Sequence, residues 1–164
     1  MQITLRILLA VFSFSCVAAA ARAEIKPEWL TFGAGYNEVL DNDQVAFASV
    51  ELRFTPVVAG LRPWVYANTS AEGSFYVGAG LAYTFAGESR WSASVGIGPG
   101  YYHRGDDVRL GGNYQNLSFV EVAYRLDNDA LVSLRFAHLS NGGVTPSNPG
   151  TETLSLQYSI PLGR

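Results

Sequence analysis

The chain has one cysteine in 164 residues, Cys16, and it sits inside the N-terminal apolar stretch. The remainder cannot close an internal disulfide, so its fold must rest on hydrogen bonding and packing. No apolar run comfortably reaches the ~20 residues that a membrane-crossing helix requires. Basic runs are absent and the formal net charge is −3, which makes nucleic acid a poor partner. Long helical periodicity, Gly/Ser linkers, low-complexity tracts and long-period repeats are all missing after the first 23 residues. The G-x-S-x-G nucleophile elbow is missing too, which removes support for an α/β-hydrolase. What is left is one domain of short extended segments.

The first 23 residues are read apart from that domain. Arg6 supplies a positive start, Ile7 to Val17 is mostly apolar, and Ala21-Arg22-Ala23 fits an A-x-A cleavage site. We expect a signal peptide over 1–23, cleaved after Ala23, and a single barrel domain over 24–164. A retained anchor is the alternative, and the shortness of the run argues against it. Phe14-Ser15 before Cys16 is a poor context for lipoprotein processing. Losing Arg6 and Arg22 leaves nine basic against fourteen acidic residues, a net charge of −5.

Beyond the signal, stretches of about ten residues alternate apolar with small or polar side chains, broken by Gly/Pro/Asn/Asp clusters. Eight strands are expected, near 29–38, 44–54, 61–69, 74–85, 91–103, 115–126, 130–140 and 151–162. Strands of roughly 9–11 residues suit a tilted crossing of a bilayer, and an even number closes without an edge. The fold class is therefore all-β, an eight-stranded antiparallel transmembrane β-barrel. In the fourth strand Phe75, Val77, Ala79, Leu81, Tyr83 and Phe85 share one face, opposite Gly78, Gly80 and Thr84. In the fifth, Trp91, Ala93, Val95, Ile97 and Tyr101 oppose Ser92, Ser94, Gly96, Gly98 and Gly100. Glu51, Arg53, Glu121, Arg125 and Arg135 fall on the polar faces and are expected to neutralise one another in the lumen. A soluble, lipocalin-like barrel would show the same alternation with the apolar face turned inward. Trp29, Phe54, Phe85, Trp91, Tyr101 and Tyr102 near strand ends resemble interfacial girdles and favour the membrane. Residues 61–69, which contain Pro63, give no clear assignment of faces.

The last two strands carry the chemistry. Side chains alternate with period two, so Val132, Leu134, Phe136, His138 and Ser140 share a face, as do Glu152, Leu154, Leu156, Tyr158 and Ile160. With the turn centred near Thr145, position 138 lies opposite position 152, and opposed Cβ atoms sit roughly 4.5–5.5 Å apart. A nucleophile, a base and an orienting carboxylate then meet on the apolar side, where unused polar groups are costly. The bland alternative is a polar rim on the connecting loop. His103 has no such company and reads as an interfacial residue. Arg104 and Arg109, weakened by Asp106 and Asp107, read as ordinary loop charges.

His138-x-Ser140-Asn141 with Glu152 downstream resembles the PagL-type lipid A 3-O-deacylases, small outer-membrane barrels of Gram-negative bacteria. The likeness is strongest from Phe136 to Leu162, and the length and strand pattern agree with it throughout. It implies hydrolysis of the ester-linked 3-hydroxyacyl chain at the 3-position of lipid A, with lipopolysaccharide of the outer leaflet as partner and the site turned towards that leaflet. Ser140 would be the nucleophile, His138 the base, and Glu152 the carboxylate that orients it. Neither metal nor other cofactor is required. Asn141, Gly143 and Asn148 are the candidate oxyanion-hole donors. Phe136, Leu134 and Leu154 would line the wall against which the acyl chain lies. A non-catalytic small barrel, structural or adhesin-like, is the competing class, and a periplasmic carrier with an apolar lumen is a third. A homodimer is left open. The chain ends Leu162-Gly163-Arg164 in place of the terminal aromatic such barrels carry, from which we expect less efficient assembly.

Overall fold

Two-residue alternation is satisfied by closing the chain on itself, so that every strand buries one face and offers the other to the surroundings. The computed structural model describes residues 24–41, 44–86 and 89–163. The expected signal segment, 1–23, lies outside the described residues. Eight strands follow in order: β1 (Pro27–Asn37), β2 (Val45–Phe54), β3 (Leu61–Ser70), β4 (Phe75–Ala86), β5 (Trp91–His103), β6 (Tyr114–Arg125), β7 (Leu131–Ser140) and β8 (Thr151–Pro161). Each end lies within two residues of the expected one. Neighbours in sequence pair antiparallel, and β8 returns to β1 with Phe32 opposite Tyr158, closing the barrel.

The apolar face points outward. Phe32, Val77, Ile97, Val120, Val122, Leu134 and Leu156 are all exposed on the outer wall. A lipocalin-like barrel would hide these side chains, so the wall itself decides between the two arrangements. Aromatic pairs flank the apolar band at both ends, Tyr83–Phe85 and Trp91–Tyr124 at one, Phe75 with Tyr101 and His103 at the other. Two of the expected girdle residues face the other way. Trp29 shares the inward face of Thr31 and lines a cavity of about 140 Å³ at the end that carries the termini. Tyr102 is buried, and its hydroxyl donates to the Val108 carbonyl at 2.9 Å. Proximity to a strand end was a poor guide for them, because parity decides which side a ring takes.

The lumen is filled. Arg135 Nη1 meets Glu51 at 2.7 Å and its Nη2 meets Glu121 at 2.6 Å, while Arg53 bonds the same two carboxylates at 2.7 and 3.2 Å. Arg125, expected in this network, is instead half-exposed at the end of β6, 3.9 Å from Asp129. Above the charges Trp64, Tyr66, Tyr76, Tyr102 and Phe119 form an aromatic core. The inward glycines of β4 and β5 make room for those rings. A Cβ at Gly96 would lie 2.4 Å from the Phe119 ring, and one at Gly80 would lie 2.5 Å from Trp64. β3 is regular after all, with Trp64, Tyr66 and Ser70 turned inward. At the far mouth, buried Asp107 accepts from Ser74 Oγ at 2.6 Å and from the Val108 N–H at 2.8 Å, tying the β5–β6 loop over the opening.

Candidate active site

β7 and β8 set the expected residues side by side. His138 is opposite Glu152, Phe136 opposite Leu154, and Leu134 opposite Leu156, all on the outward face. His138 Nδ1 lies 2.9 Å from Glu152 Oε1. Because the ring can donate to a carboxylate only from a protonated Nδ1, this contact leaves Nε2 as the free, accepting nitrogen of the neutral ring. The two side chains are 41% and 26% exposed, so the pair is reached from outside the barrel. Ser140, one step along the same face, is half-buried at the strand end. Among the described residues no hydrogen bond joins its Oγ to His138. Hydrogen bonds of this kind are often long or unformed where no ligand is present.

The loop from β7 to β8 is built around Asn141, which is completely buried. Its amide Nδ2 donates to the carbonyls of Leu110 (3.1 Å) and Ser147 (2.7 Å), and its Oδ1 accepts the Gly143 N–H at 2.9 Å. Val144 N–H returns to the Asn141 carbonyl at 3.2 Å, and Gly142 and Gly143 have φ of 64° and 81°. Positive φ at both central residues is the type I′ pattern, which glycine adopts without strain. Of the three candidate oxyanion donors, Asn141 and Gly143 thus have their donors engaged within the loop. Asn148 accepts the Asn141 N–H at 2.9 Å through Oδ1, and its Nδ2 carries no hydrogen bond among the described residues.

Three neighbours were not singled out from the sequence. Gly150, at φ 73°, passes directly beside the imidazole, and a Cβ there would lie 2.8 Å from His138 Cε1 and 3.4 Å from Nε2. Pro149-Gly150 signals a turn, but nothing in that pair says which ring it skirts. On the opposite flank, β6 places Asn116 across from Ser140 and Ser118 across from His138. These polar residues break the apolar outward face of β6, and that interruption was legible. Below the site the wall is apolar. Phe136 lies between Val120 and Leu154, and Leu134 lies between Val122 and Leu156.

The crystal structure of the outer membrane enzyme PagL is similar at 20% identity, covering 82% of this chain and 99% of that chain with a TM-score of 0.63. The crystal structure of Neisserial surface protein A is similar at 14% identity, covering 85% and 100% with a TM-score of 0.64. A de novo designed transmembrane β-barrel is similar at 13% identity, covering 84% and 98% with a TM-score of 0.52. Likenesses this remote establish the outer-membrane barrel architecture alone. No curated protein matches the chain. The family described as lipid A 3-O-deacylase (PagL) matches residues 30–161, from within β1 to the end of β8. Since that span holds β2 to β8 entire and most of β1, and His138, Ser140 and Glu152 with them, the chain belongs to the lipid A 3-O-deacylase (PagL) family.

Proposed function

We propose that the protein hydrolyses the ester of the 3-hydroxyacyl chain at the 3-position of lipid A, using Ser140, His138 and Glu152 on the lipid-facing wall. The observation that carries this reading is the 2.9 Å His138–Glu152 contact on the outward face, one step from Ser140. Family membership implies lipid A as substrate and the Gram-negative outer membrane as location. Ser140 attacks the ester carbonyl while His138 Nε2 takes its proton, and Glu152 holds the ring and stabilises the imidazolium. His138 then delivers that proton to the leaving alcohol, and water removes the acyl group from Ser140 by the same route. Asn148, whose Oδ1 is fixed by the Asn141 N–H, turns its free Nδ2 to the developing oxyanion. Asn141 and Gly143 serve by holding the loop in shape. One chain supplies every group named, and the family match lends no support to a homodimer.

A mass spectrum of lipid A from cells expressing the chain tests the reading directly. Loss of a single hydroxyacyl group is expected; an unchanged spectrum would leave a non-catalytic barrel. The acyl chain should lie along Phe136, Leu134 and Leu154, which line the wall below the triad. Since the bilayer is already apolar, that wall serves mainly to orient, keeping the ester about 3–3.5 Å from the nucleophile. Leu154→Trp is therefore expected to change the preferred acyl length or the rate, measured on lipid A species of defined chain length. Gly150→Ala should lower turnover by about 100-fold, because the added methyl displaces the imidazole and small misplacements cost that much. Heat-shifted electrophoretic mobility of this variant should stay normal, since Gly150 precedes β8 and supports no strand pairing.

A further inference from the structure

Asn116 sits on the outward face of β6, directly across from Ser140, on the flank away from Glu152. Its Oδ1 accepts from the Tyr114 hydroxyl at 3.1 Å, so the orientation of the amide is set. Nδ2 is left pointing at the turn: a Cβ built on Gly142 would lie 3.4 Å from it. Among the described residues this Nδ2 carries no hydrogen bond. The base and its carboxylate thus approach the nucleophile from one side, and an oriented, unspent amide donor stands on the other.

We infer that Asn116 Nδ2 is an oxyanion-hole donor, completing from β6 what Asn148 supplies from the loop. This rests on the deacylase reading given above. As the Ser140 Oγ–carbon bond forms, the hydroxyl proton passes to His138 and the carbonyl π pair becomes a charged lone pair on oxygen. Asn116 donates an N–H to that oxygen, where charge appears only as the bond is made. The pair then returns to re-form the carbonyl, the bond to the sugar oxygen breaks, and His138 protonates the departing alcohol.

The test uses the full-length protein, refolded in detergent, on a defined lipid A ester. Asn116→Ala is expected to lower kcat by about 10²–10³-fold with KM little changed, the signature of a donor used in the transition state. Asn116→Asp should be no better than Asn116→Ala despite its matching shape, because a carboxylate offers no donor and repels the oxyanion. Tyr114→Phe, which frees the amide to rotate, should lower kcat by a smaller factor. Labelling of Ser140 by a fluorophosphonate, whose phosphoryl oxygen occupies the same hole, should slow in parallel, whereas a residue that only shapes the rim would leave it unchanged. Wild-type kcat and labelling rate in both Asn116 variants, with Ser140→Ala inactive, would overturn the donor and leave the deacylase reading intact. Turnover surviving in Ser140→Ala would instead overturn that reading and this donor with it.

Discussion

Ser140→Ala is expected to remove lipid A deacylation almost entirely, by about 10⁴-fold or more, while the barrel folds normally. The size follows from the way the three groups act as one unit: without the hydroxyl there is no acyl intermediate for His138 to assist. His138→Ala should cost as much, because the serine then keeps its proton. Glu152→Gln should be milder, retaining roughly 10²-fold more activity than Ser140→Ala, since a neutral amide still holds the ring although it no longer balances the imidazolium charge. Stability should be unaffected in all three. The side chains lie on the outer wall, away from the buried core, and the paired strands β7 and β8 hold their register through backbone bonds. Rates on a defined lipid A ester measure the first claim, and mobility before and after heating measures the second. Near-normal turnover in Ser140→Ala would remove serine as the nucleophile.

The reason so much of this was legible lies in the period of a strand. Once His138, Ser140 and Glu152 were placed in two strands joined by a turn near Thr145, their common face and the 138–152 pairing followed from parity alone, and both are found. The eight strand boundaries followed from the same rule with turn residues as punctuation. What parity cannot supply is which bulky side chain fills the space that a small one leaves. Tyr76 on β4 lies beside Gly78 of its own strand and Gly100 of β5, and Gly96 receives Phe119 from β6. The row of small residues on β4 and β5 is visible in the sequence as a face without bulk, and its purpose depends on rings of the same and the adjoining strands. The loop shows the same limit. The sequence offers Asn141 as a candidate oxyanion-hole donor. Following a strand residue on the outward face puts it on the inward one, where it holds Leu110 and Ser147 together. Arg125 kept the correct parity and still missed the charge network, because at the last position of β6 the lumen opens towards solvent and Asp129 is nearer.

Arg135→Met is expected to destabilise the barrel by about 3–5 kcal/mol, the usual consequence of stripping one partner from a buried ion pair. Arg135 is among the most buried side chains in the molecule, with Nη1 on Glu51 and with Nε and Nη2 on Glu121. Its guanidinium also stacks 4.1 Å from the centre of the Phe119 ring. Methionine keeps an apolar stem and removes the guanidinium with its hydrogen bonds, leaving two buried carboxylates to share the single guanidinium of Arg53. A second substitution separates the charge-balance part of this loss from the lost volume. Arg135→Met combined with Glu121→Gln restores neutrality, and should recover at least about 1 kcal/mol of it, because the remaining Arg53–Glu51 pair is complete. Urea unfolding in detergent, followed by tryptophan fluorescence, measures both variants. Wild-type stability in Arg135→Met would mean that water in the neighbouring 140 Å³ cavity already screens the network. Turnover and acyl preference should stay as in the wild type in any variant that folds. Beneath the proposed site the inward face carries Ala137, Leu139, Thr151 and Thr153, all buried, so lipid has no path from the lumen to Ser140. A lumen substitution that altered acyl selectivity while leaving stability intact would place the substrate inside the barrel, and would overturn the outer-wall assignment at its root.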